Sequence, residues 1–396
     1  VDISTLEEAH VAVLGPCSPS AVIRLLGEFD PDAPDIRDEG TPVNAFVANI
    51  SSAFRRVSVI SYSRHVEEIT TYRFSNISFF IFPLRFNKLW ILDWYRVERQ
   101  MMLRILRKLN PTIVHSHWTY EYAVAALTYR RKVIITVHDN PFKVVKLTPD
   151  LLRLQKYLMS LFVRIVGFQC TFIFVSNSLV NAWSKDYWIK KNQIVIYNFN
   201  QIEVTNNVNF IRPSIEITAI GNASKLKNIA GLLQAWTHLW YEFPGVVINL
   251  IGADLDMNSE FSKLWRNLLG NSVIWHGYCK QSEVIKILDN TSIYVHLSHE
   301  ESQCLSVVEA MSRGCVCIIN QNVPALRETT SGYAILVDVH SPESVLDGLR
   351  TAILDEELRN SLALGARGVA AQKFNSKVIS DEILAVYKNF LGNTSL

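Results

Sequence analysis

The sequence predicts an α/β protein built as two doubly wound parallel sheets in separate domains. Three observations carry this. The chain has 396 residues, which is long for a single core and suits two domains of roughly 200 residues each. Short apolar runs alternate with helical patterns along its length, as buried parallel strands and their crossover helices do. Near the middle, the polar stretch 200–212 interrupts that alternation and reads as a linker. The expected division is a first domain over 1–198, a linker over 199–213, a second domain over 214–375 and a closing helical segment over 376–396.

In the first half, the apolar strand 10–14 leads into the turn-rich Gly15-Pro16-Cys17-Ser18-Pro19-Ser20. Gly40-Thr41-Pro42 precedes a helix to residue 55, and a strand follows over 57–61. Residues 111–118 form a strand that runs into a loop through His115, Ser116 and His117. The next strand, 133–137, ends in the polar cluster His138-Asp139-Asn140-Pro141. The apolar run 158–179 tempts as a membrane span, but Arg164, Gly167 and Gln169 interrupt it. It divides better into a helix and a buried strand over 171–175. Residues 170–176 and 193–197 complete the strand series of this half.

The second half is denser in signal. A strand over 215–220 opens into Gly221-Asn222-Ala223-Ser224-Lys225-Leu226-Lys227-Asn228, and a helix then runs through Leu233 and Trp236. Further strands read at 245–252, at 273–278 (through Gly277) and at 293–298, separated by helical segments such as 280–289. Then comes Glu301-Ser302-Gln303-Cys304-Leu305-Ser306-Val307-Val308-Glu309, with two carboxylates eight positions apart across a helix start. Ser302 is the expected N-cap, Leu305, Val308 and Met311 the buried stripe, and Gly314 the C-cap. The apolar strand 315–319 follows. Free backbone N–H groups and partial positive charge at a helix N-terminus suit a diphosphate.

This series resembles the Glu-x7-Glu signature of the retaining glycosyltransferases of family 4, which have the GT-B fold: two Rossmann-like domains facing a cleft. The likeness runs in order from about residue 216 to 374, and includes Pro324-Ala325-Leu326-Arg327-Glu328 and 332–337. It implies a nucleotide-sugar donor bound mainly by the second domain and an acceptor hydroxyl bound by the first. The acceptor is expected to be a saccharide, free or lipid-linked, in bacterial surface polysaccharide or glycan synthesis. His138, Glu301 and Lys227 carry the catalytic roles by this resemblance: His138 contacts the transferring sugar, Glu301 orients its hydroxyls, and Lys227 stabilises the diphosphate. Glu309 accepts from the ribose hydroxyls. Asn222, Lys225, Ser302, Gln303, Cys304, Leu305 and Gly277 complete the donor side, and His117, Gly15 and Thr41 fall on the acceptor side. The last helix is expected to return to the first domain.

Two departures stand out. Asn222 occupies the place where relatives usually carry arginine, and a neutral amide offers no cationic fork to a phosphate. Ser302-Gln303-Cys304 replaces the usual Gly-Phe-Gly, where glycine lets backbone amides approach a ligand closely. They leave a non-catalytic nucleotide-sugar-binding protein of the same fold as the main alternative, with a sugar-nucleotide epimerase behind it. A dehydrogenase is disfavoured because no Gly-x-Gly-x-x-Gly follows a strand.

Six scattered cysteines lack zinc-site spacing, and Cys315 and Cys317 alternate on a buried strand as core thiols would. This fits a reducing cytoplasm. Asp254-Leu255-Asp256 spells the Asp-x-Asp of metal-dependent transferases but reads as an acidic turn, so neither an essential metal nor another cofactor is expected. Residues 1–191 hold 24 Lys/Arg and 17 Asp/Glu, a net of +7, while the remainder nets −5. Arg85, Phe86, Lys88, Trp90, Trp94, Tyr95, Arg96 and Arg99 interleave bases with aromatics, the pattern of a segment that touches an anionic membrane. No nucleic-acid motif accompanies it. With neither a signal peptide nor a clean span, the expectation is a cytoplasmic protein, either free or peripheral on the inner membrane face.

Overall fold

The computed structural model describes residues 6–36, 41–85, 89–186, 193–202, 204, 212 and 214–392. The chain forms two compact units, Val1–Gln201 with Ser376–Leu396, and Ile202–Asn375.

The first unit holds an eight-stranded sheet built from β1 (His10–Leu14), β2 (Arg56–Ser63), β3 (Thr70–Phe74), β4 (Ile77–Pro83), β5 (Ile113–His117), β6 (Ile134–Val137), β7 (Thr171–Phe174) and β8 (Gln193–Val195). Its order is β3-β4-β2-β1-β5-β6-β7-β8, parallel except where β3 runs against β4. Alternate residues serve opposite faces, as a pleated strand requires. Val11 and Val13 enter one core cluster, Ala12 and Leu14 the other. Helix Ser376–Gly392 lays Ile379, Ile383, Val386 and Tyr387 on the first of these cores.

The second unit holds six parallel strands: β9 (Glu216–Ile220), β10 (Val247–Ile251), β11 (Val273–Gly277), β12 (Ile293–His296), β13 (Val316–Asn320) and β14 (Ile335–Val337). Their order is β11-β10-β9-β12-β13-β14. Val316 and Ile318 face one core, Cys317 and Ile319 the other. Cys315 and Cys317 are fully buried free thiols, and burial pushes Cys315 up to about 12.

Each sheet has a switch point, where successive strands are added on opposite sides of a central strand. In the first unit β2 and β5 flank β1, and in the second β10 and β12 flank β9. Ligands of doubly wound sheets lie beyond the strand ends at such points.

One sequence expectation needs correction, and two features were not foreseen. The hairpin β3–β4 was not anticipated, because its turn, Ser75-Asn76, holds Ser75 at φ 52 without the glycine that usually marks such a turn. The helix after Glu301 spans Leu305–Ser312, so its N-cap position is Cys304 and not Ser302, and Leu305 is only half-buried. The basic-aromatic segment is divided, with Trp94 and Arg96 exposed and other members turned inward. Arg85 binds Asp93 and Glu98 through paired hydrogen bonds at 2.7–2.9 Å, and Trp90 and Tyr95 are buried. Fork-to-fork pairing with two carboxylates accounts for the inward turn of Arg85. Gly40, Phe86, Lys88 and most of the expected linker lie outside the described residues. Among the described residues, no helix is long and apolar enough to cross a membrane.

Candidate active site

In the second unit, the loops after β9 and β12 meet at the switch point. Ser298 Oγ and the His299 N–H both donate to the Leu226 carbonyl, at 3.1 and 2.9 Å. That tie brings Lys227 and Glu301 together: Lys227 Nζ donates to Glu301 Oε1 at 2.6 Å. His296, at the end of β12, lies 2.9 Å from the same oxygen through Nε2. Burial opposes charge on Glu301, but Lys227 and His296 outweigh it and hold the carboxyl at about 2. Burial likewise opposes charge on His296, while Cys304 and Glu301 raise it to about 9. Lys227 follows the same balance, with Glu301 lifting it above the ordinary lysine value. The site is thus a buried carboxylate held between two cations.

Glu309 sits in helix Leu305–Ser312 and is buried. Burial raises its carboxyl to about 7, although Gln281 Nε2 donates to Oε1 at 3.0 Å. Asn222 is exposed, and its Oδ1 accepts from the Ser224 N–H at 3.2 Å, which shapes the loop ahead of Lys227. Lys225 is exposed, Ser302 is half-buried and Gln303 is buried. Cys304 Sγ is 3.3 Å from both His296 Nε2 and Ser306 Oγ. Gly277 ends β11 at φ 67, a conformation that favours glycine.

In the first unit, three histidines stack along the ends of β5 and β6. His115 meets Tyr387 Oη at 2.6 Å and Thr136 Oγ1 at 2.7 Å, and His117 Nδ1 lies 2.9 Å from His138 Nε2. Burial lowers His115 and His138 to about 3 and His117 well below its usual value, so all three are neutral at pH 7. His117 Nε2 and His138 Nδ1 are buried with no hydrogen-bond partner. Gly15 packs against this row, since a Cβ there would lie 3.2 Å from His117 Cβ. Thr41 is exposed, and its carbonyl accepts from Gln201 Nε2 at 2.9 Å.

Beside the row lies a cavity of about 280 Å³ bordered by Pro16, Tyr62, Trp118, Tyr120, Glu121, Asp139, Lys156 and others. Tyr62 Oη donates to Glu121 Oε1 and Tyr120 Oη to Asp139 Oδ2, each at 2.5 Å. The other oxygen of each carboxylate, Glu121 Oε2 and Asp139 Oδ1, is buried without a partner. Glu121 opens helix Glu121–Tyr129, where the helix dipole favours a carboxylate. Trp118 holds φ at 61, a strained value for a bulky residue.

Among the described residues, His296, Glu301 and Cys304 form the group whose ligand atoms lie within 4.8 Å of one another, close enough to share a metal ion. Glu301 Oε1 is already engaged by the Lys227 ammonium, which supplies the local positive charge. Asp254-Leu255-Asp256 forms a turn: Asp254 has φ 64, Leu255 is buried, and Asp256 Oδ1 accepts from the Asn258 N–H at 2.9 Å.

Two family models match the chain in tandem: "Glycosyltransferase Family 4" over residues 43–200, and "Glycosyl transferases group 1" over residues 202–369. The chain belongs to the glycosyltransferases of family 4. One relative, N-acetyl-alpha-D-glucosaminyl L-malate synthase of Bacillus anthracis, is 23% identical over 309 residues, covering 73% of this chain and 78% of its own. Sucrose-phosphate synthase from Thermosynechococcus elongatus superposes with a TM-score of 0.77 at 14% identity, covering 98% of this chain and 100% of its own. HepE of Anabaena, solved with UDP and glucose, gives a TM-score of 0.68 at 15% identity over 96% and 99% of the two chains. These likenesses establish the GT-B fold.

In this family-4 glycosyltransferase, the structure joins Lys227 to Glu301 and His117 to His138, as the preceding distances show. It adds four residues that the sequence reading did not single out for a role: His296, Gln281, Glu121 and Asp139. Asp139 adjoins His138, and His296 ends the strand before Glu301, so position next to a motif was the available signal. Gln281 and Glu121 had none, because only the fold brings Gln281 to Glu309 and Tyr62 to Glu121.

Proposed function

We propose that this glycosyltransferase retains anomeric configuration and moves a sugar from a nucleotide diphosphate to a hydroxyl of a neutral saccharide. The supporting observation is the cationic pair around Glu301 at the second unit's switch point, with buried Glu309 on the adjoining helix.

In this reading the donor diphosphate takes the Lys227 ammonium and the free N–H groups at the start of helix Leu305–Ser312, both of which stabilise charge as it develops. Glu309 accepts from the ribose hydroxyls. Glu301, held ionised by Lys227 and His296, accepts from hydroxyls of the transferring sugar. The C1–O bond to the diphosphate breaks as the acceptor oxygen bonds C1 from the same face. The acceptor proton passes to the departing phosphate oxygen. His138 is neutral, so its contribution is a hydrogen bond to the sugar, not a full positive charge. No metal enters this scheme, because Lys227 provides the cation.

The acceptor side rests on the cavity beside Trp118. Two carboxylate oxygens without partners accept hydrogen bonds, and aromatic walls suit the C–H face of a sugar ring. Its volume lies near the small end of ligand pockets, about 300–1,000 Å³. Arg64 and Lys156 share the border, but the buried unpartnered oxygens of Glu121 and Asp139 would repel an anionic acceptor such as L-malate, so we favour a neutral one.

Thermal stability measured against UDP-, GDP-, ADP- and dTDP-sugars, with Glu309→Ala as control, tests the donor side. A shift with one nucleotide that disappears in the variant is the expected result. An equal shift in both proteins would remove Glu309 from the donor site.

A further inference from the structure

Helix Leu151–Val166 presents an apolar face to solvent. Its inner side buries Gln155, Met159, Ser160, Val163 and Arg164. Its outer side exposes Leu151, Leu154, Leu158, Phe162 and Ile165, and Phe168 continues the line past its end. The spacing of three or four residues places these side chains in one stripe, about 21 Å long from Leu151 to Ile165 at helical rise. Exposures run from 38% for Leu158 to 60% for Ile165 and Phe168, so the stripe is a continuous surface and not one stray side chain.

The helix packed beside the stripe carries two lysines. Helix Pro141–Leu147 packs against helix Leu151–Val166 and brings Lys143, Lys146 and exposed Leu147. Residues 141–168 hold five Lys/Arg and a single acid, Asp150, which pairs with Arg153. Two of the five turn inward: Lys156 lies over the Tyr120 ring and Arg164 over Phe172. On another side helix Leu89–Leu92 packs alongside, with Leu92 67% exposed.

We infer that this face lies in the interface of an anionic lipid bilayer, with the stripe in the acyl boundary and Lys143 and Lys146 at the headgroups. A long apolar face with basic edges is how a helix lies on a membrane without crossing it. A protein partner would be expected to find hydrogen-bonding groups among the apolar ones, and the stripe itself offers none. The same helix sends Lys156 to the border of the cavity that holds Glu121 and Asp139. A bilayer-seated helix therefore brings that cavity close to the lipid surface, where an acceptor saccharide carried on a lipid would be presented. That last step rests on the proposed glycosyl transfer; the surface itself does not.

Flotation of the full chain with vesicles of phosphatidylcholine, alone or mixed with phosphatidylglycerol, tests this at low salt. The wild type is expected to float with mixed vesicles. Phe162→Glu with Ile165→Glu should lower the bound fraction roughly tenfold or more. Lys143→Glu with Lys146→Glu should abolish the preference for anionic lipid. These substitutions lie on the surface, and an unchanged thermal midpoint would verify the fold of each variant. A wild type that stays with the soluble fraction for both vesicle types would overturn the inference, as would equal flotation of the stripe variant. So would a dimer that the stripe variant dissociates without any vesicle binding, which would assign the face to a second copy. Nucleotide-induced thermal shifts on the same samples report the donor site separately. Stripe-dependent flotation without any nucleotide shift would leave the membrane face standing while the transferase reading fell.

Discussion

Lys227 Nζ lies 2.6 Å from Glu301 Oε1, and His296 approaches the same oxygen from the other side at 2.9 Å. One carboxylate oxygen therefore organises two positive groups where the loops after β9 and β12 converge. Replacing Lys227 with Met leaves Glu301 buried with one partner fewer. Breaking a buried pair from one side costs about 3–5 kcal/mol, and Lys227 is partly exposed, so a loss of about 3 kcal/mol in chemical denaturation is expected. Loss of the diphosphate's cation should also lower kcat by about 10²–10³, in the range seen when one transition-state donor is removed. Unchanged turnover would place the leaving group elsewhere.

Acid should undo this network. The Glu301 carboxyl is depressed in the folded state to about 2, so its stabilisation is complete above the ordinary carboxylate pKa and disappears as pH falls toward 2. Glu301→Gln should remove that part of the acid sensitivity, read as a flatter dependence of the thermal midpoint on pH below about 4.5.

Glu309 behaves in the opposite sense. Its folded pKa is raised to about 7 by burial, so the folded state gives up stability as pH rises from the ordinary carboxylate value through 7. Ribose hydroxyls, in contrast, donate best to the ionised form. Donor affinity is therefore expected to strengthen between about pH 6 and pH 8, and Glu309→Gln to flatten that rise. Calorimetric titration of the donor nucleotide across this window would read both.

The histidine row sets a second pH boundary. His115, His117 and His138 all have lowered folded pKa values through burial, so their stabilisation is complete above about 6.5 and is lost as pH falls below it. Each contributes a slope of up to about 1.4 kcal/mol per pH unit. Thermal midpoints should fall more steeply between pH 6 and pH 4.5 than in a His138→Asn variant.

On the acceptor side, Glu121→Gln and Asp139→Asn keep the acceptor atoms for Tyr62 and Tyr120 while removing charge from the cavity. A charge-assisted hydrogen bond contributes about 1.5–3 kcal/mol, so acceptor KM should rise roughly tenfold to a hundredfold. Hydrolysis of the donor by water, measured without acceptor, should be unaffected. A kcat loss with unchanged KM would point to a role other than acceptor binding.

The alternation of buried parallel strands and helices was legible because it depends on local pattern. Fully buried parallel strands read as apolar runs, and Lys227, Glu301 and Glu309 sit at fixed distances from such runs. What the sequence concealed was partner choice. Arg85 looked like a surface base until Asp93 and Glu98 folded onto it. The run 158–179 was rightly divided into helix and strand, yet its periodicity could not tell which face the helix Leu151–Val166 would turn outward. Two apolar stripes on one helix look alike in one dimension, and only the packing of Met159 and Val163 against the sheet separates them.

The glycines at three strand ends explain why departures at Asn222 and at Ser302 to Cys304 need not disturb the second unit. The Gly221 N–H donates to the Ile251 carbonyl, the Gly252 N–H to the Gly277 carbonyl at 2.7 Å, and the Gly277 N–H to the Leu255 carbonyl. A Cβ on Gly252, at φ 136, would fall 1.6 Å from the Gly221 carbonyl oxygen. The strand ends beneath these loops are thus joined through main chain, with the Ser298 hydroxyl adding a side-chain tie to Leu226. Side chains above them can differ from one transferase to the next while this main-chain scaffold stays the same.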